Sequence, residues 1–169
     1  MCDGPLSVFI TRVSEQAFEA NQKLTATGLL RAHLDQLQPG DYFALLAYLN
    51  RFDESLYTRL QQLRHAIRDR YRVATSLGYG PRYLHSTGQA HKGGPDTGLF
   101  LMITADHHGR EIAVPGRHAG FATTETAQAV GDFQVLSSRD RRVMRIHISG
   151  VPSSTLHALE QLRRAVLSD

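Results

Sequence analysis

The chain has 169 residues, 41% hydrophobic and 21% charged, with a single cysteine, so disorder, collagen-like repeats and a disulfide scaffold are poor readings of it. Its 19 Lys and Arg against 16 Asp and Glu leave a net charge of +3, and no recognised RNA- or DNA-reading motif accompanies that small excess, so no nucleic-acid partner is expected. The longest apolar runs, 43–49 and 98–103, fall far short of the roughly 18 residues that cross a bilayer, so no membrane partner is expected either. Met1-Cys2-Asp3-Gly4-Pro5 has neither the basic start nor the apolar stretch of a secretory signal, and the expected location is cytoplasmic.

Short apolar runs alternate with amphipathic segments along the chain. Leu6 to Ile10 suits a strand, and Thr25 to Leu37 places Leu29, Leu30, His33, Leu34 and Leu37 on one helical face. Gln38-Pro39-Gly40 closes that helix, and the almost wholly apolar stretch from Asp41 to Leu49 predicts a strand in the middle of the sheet, covered on both faces. From Asp53, a natural N-cap, the spacing Leu56, Leu60, Leu63, Ile67, Tyr71 predicts a second helix. Arg72 to Leu77 and Gly98 to Thr104 predict strands, and Arg110 to Val114 a short edge strand. Thr123 to Leu136 predicts a helix capped by Thr123 or Thr124, Arg142 to Ile148 a half-exposed strand, and Ser153 to Leu167 a last helix capped by Ser153 or Ser154. Strands alternating with helices predict a single α/β layered domain over residues 1–169, with a mostly parallel sheet flanked by helices.

Between Gly78 and Gly98 lies a stretch without clear periodicity, carrying two tyrosines, two histidines, an arginine and a lysine among its glycines. A long irregular segment inside a compact domain is usually functional. Its glycines permit tight turns and close approach of a ligand, as a polyhydroxylated molecule would require. The stretch matches neither G-x-x-x-x-G-K-[ST] nor G-x-G-x-x-G, so spacing alone gives no nucleotide assignment.

GYGPRYLHSTGQAHKGGPDTG (78–98) resembles the C-terminal signature of the phosphoglucose isomerase part of bacterial bifunctional transaldolase/phosphoglucose isomerase proteins. The similarity runs in order through RAHLDQLQPGDYFALLAYL (31–49), LQQLRHAIRDR (60–70), 73–101, AQAVGDFQVL (127–136) and RRVMRIHI (141–148). The resemblance implies a sugar isomerase (SIS) type sandwich and the interconversion of glucose 6-phosphate and fructose 6-phosphate, with no metal and no other cofactor. That reaction needs a group to open the sugar ring by accepting and returning a proton near neutral pH, a task suited to imidazole. The family's histidine stands in an HxxGQ-like turn and usually reaches the partner subunit's site; His85, in Leu84-His85-Ser86-Thr87-Gly88-Gln89, matches it. Ser86 and Gln89 would orient His85 or the sugar hydroxyls, and Lys92 and Arg82 are further candidates for substrate contact.

The family's proton-transferring glutamate belongs to an ESTGK-like segment and its lysine follows an NPFDQP-like segment, and neither occurs in this chain. The expectation is a C-terminal domain of a larger isomerase, contributing the ring-opening histidine and inactive alone. The alternative is a non-catalytic sugar-phosphate-binding or dimerisation module of SIS type, in which a homodimer carries the histidine turn across a subunit boundary. Other residues have plainer readings. His91 and Lys92 are ligand contacts or solvated loop residues, and Arg82 holds a phosphate or pairs with an acid. His107-His108 reads as an exposed turn with no metal partner, His118, His147 and His157 as surface or satisfied structure, Tyr79 and Tyr83 as packing residues, and Glu125 as a surface helix residue.

Overall fold

A computed structural model describes residues 2–11, 25–109, 112–116 and 118–168. Strands β1 (Cys2–Asp3), β2 (Leu6–Ile10), β3 (Tyr42–Tyr48), β4 (Ala74–Tyr79), β5 (Gly98–Ala105) and β6 (Arg142–Ile148) form one sheet in the order β1-β2-β6-β5-β3-β4. The four strands β6, β5, β3 and β4 run parallel, while β2 joins β6 antiparallel and β1 folds back on β2. The helices are α1 (Ala26–Leu34), α2 (Glu54–Tyr71), the short α3 (Gly88–Gly93), α4 (Phe121–Ser138) and α5 (Pro152–Leu167), with a 3-10 turn over Arg82–His85.

The period-two alternation of each strand sorts the core into two layers. Phe43, Leu45 and Ala47, with Leu99, Leu101 and Ile103, turn to one face and meet α1, α2 and α5 through residues such as Leu30, Leu63 and Leu159. Ala44, Leu46, Phe100, Met102 and Val143 turn to the other face, where Tyr83, Ala129 and Leu136 cover them. The path from β3 through α2 to β4 moves one way across the sheet, and the path from β4 through α3 to β5 moves back past β3. Because such crossovers keep one hand, the reversal places α2 on one face and α3 and α4 on the other.

Caps explain most helix limits. Thr25 Oγ1 accepts from the Gly28 amide at 3.1 Å, and Asp53 accepts from Ser55 and Leu56 at 2.9 and 3.1 Å. α1 ends at Leu34 rather than Leu37, and α2 ends against Arg72, held in the left-handed region at φ 57°, so β4 begins only at Ala74. The last two helices start before the hydroxyl residues that sequence favours as caps: α4 is capped by Gly120 and α5 by Val151, with Pro152 in the first turn, where its missing N–H costs nothing. β3 is an interior strand one place in from the β4 edge, and the middle of the sheet belongs to β5 and β6. β6 keeps the alternation expected of it, with Met144, Ile146 and Ile148 buried and Arg145 and His147 partly exposed on the other face. The edge strand expected at 110–114 is absent from the described part of that segment, where Ala113 makes a single bridge to Gly120; residues 110 and 111 lie outside the described residues. Among the described residues no helix is long and apolar enough to cross a membrane.

Candidate functional site

The stretch 78–98 is more ordered than its composition suggests. It holds the end of β4, the 3-10 turn and α3, wrapped around a buried polar core. Tyr83 is 4% exposed, and its hydroxyl donates to the Asp132 carboxylate on α4. Lys92 reaches the same carboxylate, Nζ to Oδ1 at 2.6 Å. Beside them His91, 5% exposed, shares a 3.0 Å hydrogen bond with the Tyr42 hydroxyl, and burial lowers its pKa. Burial, reinforced by the Asp132 charge, pushes the Tyr83 phenol well above its usual range. Arg141 finishes the anchor by donating to the carbonyls of Lys92 and Gly94 at 3.1 and 2.6 Å, at the carboxyl end of α3.

On this anchored platform Arg82, His85, Ser86 and Gln89 are all exposed or partly exposed. Ser86 Oγ donates to the Tyr83 carbonyl at 3.2 Å and tightens the turn. Lys92 turns away from this group toward Asp132, and His91 is neither solvated nor at the surface. The turn follows β4, so His85 stands at the carboxyl end of the parallel strands. Gly80 lets the platform approach: its amide donates to the Ala47 carbonyl at 2.9 Å, and a Cβ there would lie 2.4 Å from the Tyr48 ring. Gly80→Ala should therefore push the turn off Tyr48 and destabilise the domain by about 1–3 kcal/mol. Thermal unfolding checks this, and an unchanged midpoint would show that Tyr48 yields freely.

A second feature was not singled out from the sequence. The connection after β3 leaves toward β4 and the connection after β5 leaves toward β6, so the chain parts between the carboxyl ends of β3 and β5. In open α/β sheets that parting is where ligands bind. Here it forms a cleft of about 530 Å³ walled by Tyr48, Asn50, His107, Glu125 and Ser153 among others, with the starts of α2 and α5 at its rim. An adjoining cavity of about 280 Å³ shares Tyr48, Ala105, His107 and Glu125 with it and adds Phe9, Arg145 and His147.

Several groups here are already paired. His107 Nε2 lies 3.9 Å from Glu125 Oε2. His147 is held between the Thr104 hydroxyl at 3.0 Å and Asp106 at 3.1 Å. Asp106 also accepts the Gly150 amide at 2.9 Å, and that bond is the main cause of its lowered pKa. Tyr48 is 4% exposed and burial pushes its phenol up to about 12. His107 and Glu125, plain surface residues in the sequence, thus line both cavities; the signal that could have found them is their position just past a strand's carboxyl end and in the first turns of a helix. Among the described residues no cluster of His, Cys, Asp or Glu could hold a metal ion.

No protein-family model and no curated relative matches the chain. Among solved structures, the chain is similar to the hypothetical protein TT0462 from Thermus thermophilus, with a TM-score of 0.60 at 15% identity. The match covers 92% of this chain and 41% of that one, so the chain spans less than half the length of its structural neighbour. At this identity the likeness concerns the fold, an α/β sandwich with a mostly parallel sheet flanked by helices.

Proposed function

We propose that this chain is the C-terminal domain of a glucose-6-phosphate isomerase and supplies His85 as the ring-opening acid and base. The observation that carries the reading is the placement of His85: an exposed imidazole with no hydrogen bond among the described residues, on a turn fixed from beneath by Tyr83, Lys92 and Asp132. His33 and His91, which steady the domain, are paired inward, and His85 differs from His108 and His157, likewise exposed and unpaired among the described residues, in standing on that turn. In ring opening, His85 takes the proton of the anomeric hydroxyl and returns one to the ring oxygen, while a glutamate outside this chain moves the proton between the two adjacent carbons. The resemblance of residues 78–98 to the isomerase signature supports a site completed by other segments.

The test is turnover of glucose 6-phosphate to fructose 6-phosphate, by this chain alone and joined to an isomerase segment carrying the glutamate and lysine. The chain alone should be silent. In the completed enzyme His85→Ala should lower kcat on the cyclic sugar by about 100-fold or more. Equal rates with and without His85 in the completed enzyme would remove its role, and turnover by the isolated chain would overturn the incomplete site.

A further inference from the structure

Strand alternation turns Phe9, Tyr48, Thr104, Arg145 and His147 toward one shared cavity. The register places Phe9 and Met102 opposite Arg145, and Thr104 opposite Tyr48 and His147. Phe9, Tyr48, Thr104, Arg145 and His147 form one wall of the 280 Å³ cavity, and Glu125 closes it from α4. Arg145 Nε is buried without a hydrogen-bond partner, and the buried Tyr48 hydroxyl lies beside the Tyr83 hydroxyl, whose own proton goes to Asp132. Among the described residues Arg145 makes no ion pair. Its guanidinium lies 4.0 Å over the Phe9 ring and 5.7 Å from that of Phe133, so stacking occupies its flat faces and leaves its N–H edge open.

A cation removed from water without a carboxylate partner is costly, and aromatic stacking repays only part of that cost. No nearby carboxylate pairs with Arg145 among the described residues. Asp106 takes the Gly150 amide and His147, Asp132 takes Lys92 and Tyr83, and Glu125 faces His107. The cavity therefore holds a guanidinium without an ion-pair partner as well as the Glu125 carboxylate, and a complementary ligand must bring acceptors and negative charge to Arg145.

We infer that this cavity binds the oxyanion end, carboxylate or phosphate, of a small polar molecule whose remainder extends into the adjoining 530 Å³ cleft. The Arg145 edge and the Tyr48 hydroxyl hold the oxyanion, and Glu125, which lines both spaces, accepts from a hydroxyl or amine further along. This inference does not rest on the role of His85, and its readout is equilibrium binding rather than turnover.

The experiment is calorimetric titration of the protein with inorganic phosphate and, separately, with glycerate, in chloride buffer of matched ionic strength. Saturable binding of at least one probe is expected, with a dissociation constant of about 1 mM or tighter. The probe that binds better identifies the headgroup. Arg145→Met keeps the apolar stack on Phe9 and should weaken binding by about tenfold or more; Tyr48→Phe should weaken it about threefold or more. Thermal unfolding verifies that each variant is folded, and Arg145→Lys, which keeps the charge and loses the fork, replaces Arg145→Met if that variant is not. No saturation by either probe at about 50 mM, or affinity unchanged in the folded arginine variant, would overturn the site and leave Arg145 as a stacked cation tying β2 to β6.

Discussion

Asp132→Ala is expected to cost about 3 kcal/mol of stability and to lower the thermal midpoint by roughly 6–12 °C. Asp132 is 3% exposed and answers two donors at once, the Lys92 ammonium at 2.6 Å and the Tyr83 hydroxyl. Its removal leaves a partly buried ammonium and a buried phenol without an acceptor, and breaking one side of a buried pair costs more than the pair contributes. Tyr83→Phe, which removes only one neutral donor, should cost about 1 kcal/mol. Adding Lys92→Met to Asp132→Ala should recover part of the loss, since the stranded charge is then gone. Denaturant unfolding of the single and double variants reads all three, and a loss below about 1 kcal/mol for Asp132→Ala would show that the His85 turn is held by other contacts.

Acidification should destabilise the protein through His33. This residue of α1 is wholly buried; its Nε2 donates to the Phe100 carbonyl at 3.0 Å, and its Nδ1 accepts from Gln36 at 3.4 Å. Burial is the main reason that its pKa falls from 6.5 to about 4, with the Arg142 charge adding to the effect and the Phe100 bond opposing it. The unfolded chain therefore takes up a proton near pH 6.5 that the folded chain refuses until about pH 4. Stability from this residue is full above pH 6.5 and declines through that window, by at most about 3 kcal/mol. His33→Gln, which can still donate to Phe100, should flatten the slope between pH 6.5 and 4. Contributions from Asp41 and the other carboxylates are common to both proteins and cancel in the difference. Parallel curves for the two proteins would place the acid sensitivity elsewhere.

Where a period is long and a cap is local, sequence and structure agree. Leu6–Ile10 is the strand that its composition implies, and Asp53 caps a helix that ends at Tyr71. Disagreement follows from information that is not local. Arg142–Ile148 alternates as its sequence implies, but its place inside the sheet comes from β2, which pairs along its edge from the other end of the chain, and no window over 142–148 can register that. Residues 78–98 lack periodicity because α3 is short and the inward residues of the stretch, Tyr83 in the 3-10 turn and His91 and Lys92 in α3, are polar or aromatic groups paired with Tyr42 and Asp132. The candidate site divides the same way. His85, Ser86, Gln89 and Arg82 come from one turn and are adjacent in sequence, whereas Tyr48, His107, Glu125 and Arg145 come from three strands or their ends and a helix, and only the order of strands brings them together.

The pairing of β2 with β6 also bears on how the chain is made. Leu6 and Ile148 are partners roughly 140 residues apart, and closing so long a loop costs about 4 kcal/mol of chain entropy beyond a fixed offset. During synthesis β2 has no strand neighbour except β1 until β6 has emerged, so Leu6, Val8 and Phe9 wait on a bare strand edge. That interval is when the nascent protein is most open to pairing with another copy of itself, and the same contact that completes the sheet ends the exposure.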